Sequence, residues 1–280
     1  MKYYAACLDS TGIRAALALR PCTILLSYHH FKTKQKMITK LLSRNVNIFI
    51  DSGAFSVYVS GSSVDIDAYC DFIQKVKPTY YAALDVIGDA AASYENLKYM
   101  ETRYELNPIP TFHRGSPIEA LDKMLQENYE YIALGGIGSK AGTTEIIKFC
   151  DTSFRHILTY APHTKVHGFG VSAVDVMSRY PWYSVDGSAF MGCWRFGRQS
   201  MITSGITIGN MPEGDFARFL QSIGITQKEL LTSGVGTSNS NKRRIQAFFS
   251  AASFQIYAAH LTELHKLQDF SYLTNQTRLI

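Results

Sequence analysis

The sequence predicts a (β/α)8 barrel with a C-terminal helical appendage, and three observations predict it. Short apolar runs recur along the chain at a spacing of roughly 20 to 35 residues, the size of one βα unit. The runs are apolar throughout rather than alternating, as in parallel strands covered on both faces. The stretches between them carry helix-start and helix-stop chemistry. In order, the runs are CTILLSY (22–28), VNIFID (46–51), TYYAALDV (79–86), PIPTFH (108–113), YEYIALGG (129–136), KVHGFGV (165–171) and WYSVDG (182–187), with GITIG (205–209) as a weaker eighth. Eight such units in roughly 200 residues fit a barrel. A doubly wound open sheet is the alternative, but no G-x-G-x-x-G follows the first run, which disfavours its nucleotide-binding form.

The helices follow the same order. VDIDAYCDFIQKVK offers Asp65 as an N-cap and closes before Pro78. DAAASYENLKYMETRYE, SPIEALDKMLQEN and TTEIIKFCDTSFRHIL repeat that logic, and Ser116, Pro117 and Glu119 are helix-start residues. Beyond about residue 210 the rhythm stops. NKRRIQAFFSAASFQIYAAHLTELHKL (241–267) reads as one long helix with a basic start. Residues 1–210 are therefore expected to form the barrel, and 211–280 a helical extension packed on it.

Composition bounds the function. The chain has 280 residues, 46% hydrophobic and 18% charged, so a large core is expected and global disorder is not. A net charge of +5 permits a polyanionic partner without requiring one. Cysteines stand at 7, 22, 70, 150 and 193, none in a C-x-x-C pair, so they read as buried free thiols rather than a zinc ribbon. No metal and no cofactor is expected. The start, MKYYAACLDS, lacks the long apolar core of a signal peptide, and no window approaches 18 uninterrupted apolar residues. A cytoplasmic location is expected.

In a barrel, reacting groups stand at the C-terminal ends of the strands. Those ends read Asp51 in IDSGAF, Asp85 in ALDVIGD, His113 in FHRGSP, Gly135 and Gly136 in LGGIGS, His167 to Gly170 in HGFGVS, and Asp186 in SVDGSAF. One acid at a strand end is commonly a helix cap, and one glycine a tight turn. Three acids at equivalent ends are harder to explain as caps. Carboxylates gathered on one rim are costly unless they do acid–base or nucleophilic work or hold a metal. The small residues Ser52, Gly53 and Ala54 leave room beside Asp51 for a flat ligand. A metal-dependent hydrolase would want His-x-His after the first strand, where SYHHFK offers adjacent His29 and His30, whose side chains would diverge on a strand.

In order and spacing, IDSGAF, ALDVIGD, LGGIGS, HGFGVS and SVDGSAF resemble the serial motifs of the tRNA-guanine transglycosylase superfamily, over about residues 46 to 190. The resemblance implies exchange of guanine for a 7-deazaguanine at an intact sugar–phosphate backbone. It implies Asp186 as the nucleophile at C1′ and Asp51 as the general acid/base. It implies Asp85 as the reader of the guanine edge, Gly135 and Gly136 as a loop contacting the base, and Gly168, Phe169 and Gly170 as the pocket floor. Ser52, Gly53 and Phe55 would line the space beside Asp51. His113 stands where the family carries a base-contacting Gln. The tRNA enzymes have a Cys-x-Cys-x-x-Cys plus His zinc site after the nucleophile. Here Cys193 alone follows Asp186, and the chain is shorter. Both departures are similar to the phage-type DNA 7-deazaguanine transglycosylases. DNA and a 7-deazaguanine base are then the expected partners, with no membrane.

A nucleic acid would need a basic surface. GCWRFGRQS (192–200) supplies Arg195 and Arg198, and SNSNKRRIQ (238–246) supplies Lys242, Arg243 and Arg244. Phe55, Tyr58, Phe112 or Phe169 would stack on an extruded base. Two other readings stay open: a tRNA enzyme without the zinc site, and a non-catalytic nucleic-acid-binding paralogue. The latter would be expected to lack Asp51 or Asp186, and both are present.

Overall fold

The computed structural model describes residues 1–17, 19, 21–61, 63–138, 142–191, 200–203, 206–209 and 239–274. Eight parallel strands curl into a barrel: β1 (Lys2–Cys7), β2 (Thr23–Ser27), β3 (Asn47–Asp51), β4 (Tyr80–Tyr81), β5 (Thr111–His113), β6 (Tyr131–Gly135), β7 (Lys165–Gly168) and β8 (Ser184–Gly187). Their order in the sheet is β4-β3-β2-β1-β8-β7-β6-β5. A parallel bridge between Ala82 and Ile109 joins the two ends. There the Ala83 N–H donates to the Ile109 carbonyl and the Ile109 N–H to the Tyr81 carbonyl, both at 2.9 Å. Among the described residues, closure leaves the barrel sheet without a long unpaired edge.

The helices α1 (Ser10–Ala16), α2 (Tyr28–Phe31), α3 (Gln35–Leu42), α4 (Ala54–Ser60), α5 (Ile66–Val76), α6 (Ala90–Tyr104), α7 (Ile118–Gln126), α8 (Thr143–Tyr160) and α9 (Val174–Arg179) fill the connections. Asp65 caps α5 as expected, its carboxylate accepting from the Asp67 and Ala68 N–H groups. For α7 the cap position is Pro117, without a side-chain cap. The long helix α10 (Asn239–Leu267) packs on β1 and α1, with Tyr3 and Phe254 stacked at 5.0 Å, and α11 (Ser271–Thr274) lies against α8.

Two strand readings are corrected. The first barrel strand is β1, in the segment KYYAAC, so every later strand moves up one place in the order. Its two alanines and two tyrosines make a weak apolar run, yet five of its six residues are buried. The run at 205–209 is not the eighth barrel strand. Ile206–Gly209 (β10) pairs antiparallel with Ser200–Thr203 (β9), apart from the barrel sheet. The histidine pair is also corrected: His29 and His30 lie on α2, not on a strand, with ring centres 5.0 Å apart.

Inside–outside alternation along each strand positions the site. Ile24, Leu26, Ile48, Ile50, Val166 and Val185 face the helices in one large core. Tyr4, Ala6, Leu25, Phe49 and Ala133 face the barrel interior, with Tyr80, Tyr131 and Phe169 packed on them. Successive side chains on a strand point to opposite faces. Two residues on from Leu25, Phe49 and Ala133, the inward positions at the mouth are therefore Ser27, Asp51 and Gly135. On β8 the inward pair is Ser184 and Asp186, and β1 pairs Tyr4 with Asp186. Cys7, Cys22, Cys70 and Cys150 are buried free thiols, as expected, while Cys193 lies outside the described residues. Among the described residues, no helix is long and apolar enough to cross a membrane.

Candidate active site

The C-terminal mouth of the barrel opens on a cavity of about 490 Å³. Asp51, Phe55, Asp85, His113, Gly135, Gly136, Phe169, Gly170 and Asp186 all border it. A second lobe of about 410 Å³, toward β1 and β2, shares Asp51, Phe55, Gly170 and Asp186 and adds Cys7, Ser27, Ser172 and Ser188. The two acids thus stand on the boundary between the lobes, open to both.

Asp51 ends β3. Burial pushes its pKa up to about 6, and the neighbouring charges of Asp186 and Asp85 push the same way. The Gly53 N–H and the Ser27 hydroxyl oppose the rise. Gly53 turns the chain there with φ of +81°, and a Cβ on it would stand 2.6 Å from His29 Cβ. Such a turn favours glycine on both grounds. A carboxyl that ionises near neutrality can both give and take a proton.

Asp186 is 5% exposed. Its Oδ1 accepts from the Gly170 N–H at 2.9 Å. That approach depends on two glycines meeting, since a Cβ on Gly170 (φ +73°) would lie 2.9 Å from Gly138 Cα. Asp85 lies in the loop after β4, beyond the strand itself. Its Oδ2 stands 3.1 Å from His113 Nε2. Burial works against a charge on His113, but Asp85 outweighs it and the net pKa is raised. His113 lies over Gly135, where a Cβ would meet its Nδ1 at 2.5 Å.

Other expected site residues are placed elsewhere. Ser52 is buried and Gly53 packs on His29 and Ser27, and neither borders the cavity. Gly168 is not pocket floor: its missing side chain faces Trp182, so it is small for packing under the helices. Phe112 likewise faces outward, its ring against Phe149. Strand parity decides this, since Phe112 is out of phase with inward His113. Tyr58 is 65% exposed and borders a shallower hollow beside Asp85. Arg195 and Arg198 lie outside the described residues. Lys242, Arg243 and Arg244 fall in the first two turns of α10.

The structure adds two residues that strand ends did not single out, Arg114 and Gly138, and gives the strand-end His167 a place. Arg114 borders the cavity, its Nε donating to the Gly136 carbonyl at 3.2 Å. Gly138 borders it too. The position of Arg114 directly after His113 was the available signal. His167 lies fully buried beneath Asp186, its Nε2 3.3 Å from Oδ1. Phe169, two residues on, packs against it on the same inward side.

No protein-family model matches the chain, and no curated protein matches it. Among solved structures, it is similar to a mutant tryptophan synthase α-subunit from the hyperthermophile Pyrococcus furiosus. The TM-score is 0.47 at 13% identity, over 67% of this chain and 86% of that one. A likeness of that degree bears on neither activity nor substrate.

Proposed function

We propose that the chain is a DNA-guanine transglycosylase, exchanging guanine for a 7-deazaguanine base through a covalent bond between Asp186 and C1′. One observation carries the reading: Asp51 and Asp186 converge on a single cavity with room for a purine, where burial raises the Asp51 pKa. Asp186 Oδ attacks C1′, the C1′–N9 bond breaks, and protonated Asp51 supplies the proton that leaves with guanine. The incoming base then gives its N9 proton to Asp51. Its N9 bonds C1′, and Asp186 departs as the carboxylate. The proton returns to where it began, and no net charge is lost.

Asp85 is the group that reads the base. A carboxylate accepts from both N1–H and the exocyclic amine of a guanine, whereas an amide presents one acceptor and one donor. Asp85→Asn is expected to weaken binding of a 7-deazaguanine by roughly ten- to a hundredfold, since leaving a buried partner unpaired costs about 1–3 kcal/mol. Titration of the base into both proteins measures it, and equal affinities would remove Asp85 from this role.

DNA rather than tRNA is favoured by the missing zinc ligands after Asp186 and by the basic start of α10. Cations at a helix N-terminus work against the helix dipole, a cost that bound phosphates would offset. Replacing Arg243 and Arg244 with Ala is expected to weaken DNA binding across sequences. It should also reduce the slope of log affinity against log salt by about one to two. An unmoved slope would make these residues a solvated helix start.

The deciding experiment is nucleoside analysis of DNA and tRNA from cells expressing the chain with a supply of 7-deazaguanine. Modified nucleoside in DNA alone is expected. Modification of tRNA alone would move the activity to the other polymer, and none in either would refute base exchange.

A further inference from the structure

We propose that His167 is a positioning residue for Asp186, the last link of a hydrogen-bonded chain that runs up the barrel interior from Tyr131 through Ser184. The inference rests on the role given to Asp186 above. His167 is 0% exposed. Its Nδ1 lies 2.5 Å from Ser184 Oγ, and Ser184 Oγ lies 2.5 Å from Tyr131 Oη. Its Nε2 makes no directed hydrogen bond among the described residues, and Asp186 Oδ1 stands 3.3 Å away. A buried imidazole nitrogen without a partner is costly. A carboxylate one small rotation away is the group that satisfies it, and such bonds commonly tighten only when substrate binds.

The chain has one direction that uses every group. The Asp186 carboxylate can only accept, so the chain must run toward it and its donor end is Tyr131. It donates to Ser184 Oγ, Ser184 then donates to His167 Nδ1, and the imidazole proton must sit on Nε2, aimed at Asp186. The rings of Phe49 and Phe169, each 4.6 Å from the imidazole, hold its plane. Register makes this possible, because β7 and β8 pair His167 with Ser184. With Gly170 N–H and His167 both on Oδ1, the carboxylate rotamer is set and Oδ2 is the oxygen left for C1′.

Two measurements test it. In the substrate-free protein, ¹⁵N NMR of the histidine side chains is expected to show the His167 proton on Nε2, with Nδ1 accepting. Its Nδ1 resonance should move in Ser184→Ala and its Nε2–H should move or vanish in Asp186→Ala. An Nδ1–H form, or resonances indifferent to Asp186→Ala, would overturn the inference. This arm needs no substrate, so it decides the matter even if the wild-type protein exchanges no base. In exchange assays, His167→Leu is expected to lower kcat by about a hundredfold, the scale of a misplaced reacting group, with KM for the base within about twofold. His167→Gln, which keeps an N–H near the Nε2 position, is expected to recover most of that loss. Equal defects in both variants, or a loss that falls on KM, would mean that His167 only fills the core.

Discussion

Replacing Asp186 with alanine is expected to abolish base exchange, by about ten-thousandfold or more, while the barrel stays folded. The size follows from removing the one group proposed to bond C1′, since loss of a nucleophile is not made good by the rest of a site. The fold survives because the strand is held through its backbone, with residue 186 paired to Tyr4. Among the described residues, the side chain accepts one hydrogen bond, from Gly170. Leaving that N–H unpaired costs about 1–3 kcal/mol. Asp186→Asn, which still offers an acceptor to Gly170, should recover most of the melting temperature and none of the exchange. A covalent protein–DNA adduct trapped on a denaturing gel is expected for the wild type and absent from both variants. Exchange at near wild-type rate in either variant would end the nucleophile assignment.

Asp51→Asn is expected to make the protein more stable and less active. The Asp51 carboxyl ionises near 6 when folded, against an ordinary value of 3.8. Between those two values the folded protein holds a proton that the unfolded chain releases, so stability falls as pH rises through that window. By pH 7 the folded state carries a buried charge at a cost of at most about 3 kcal/mol. An amide carries no such cost and still accepts from Gly53. The gain of Asp51→Asn should therefore be largest at pH 7 and shrink toward pH 4. Exchange should fall by about 10²- to 10⁴-fold, the usual worth of a positioned acid/base. Chemical denaturation at the two pH values, beside exchange assays, checks both halves. A stability difference independent of pH would show that Asp51 is not the strained carboxyl described here. Stability given up at a reacting group is a common cost of function.

The site was legible in the sequence to the extent that it sits on strand ends. Asp51 and Asp186 close largely apolar runs, and parallel strands deliver their C-terminal residues to one rim whatever the exact register. The helix caps were legible for a related reason: Asp65 caps α5 through contacts two and three residues away, which local sequence decides. Sidedness was not legible. When both faces of a strand are apolar, the sequence does not say which residue of a pair points inward. Phe112 and Gly168 therefore read as pocket residues and turned out to face the helices.

Order around the barrel was hidden in the same way. KYYAAC is too weakly apolar to announce a strand, and it becomes one because β2 and β8 on either side supply its hydrogen-bonding partners. The chain by itself determined the repeating βα units, the capped helices, and the acids at the ends of the runs. Only the closed sheet decided that Asp51 and Asp186 share one cavity and that His167 lies beneath Asp186. Those contacts join residues far apart in sequence through strand register, and register is fixed only once every strand has found its neighbours.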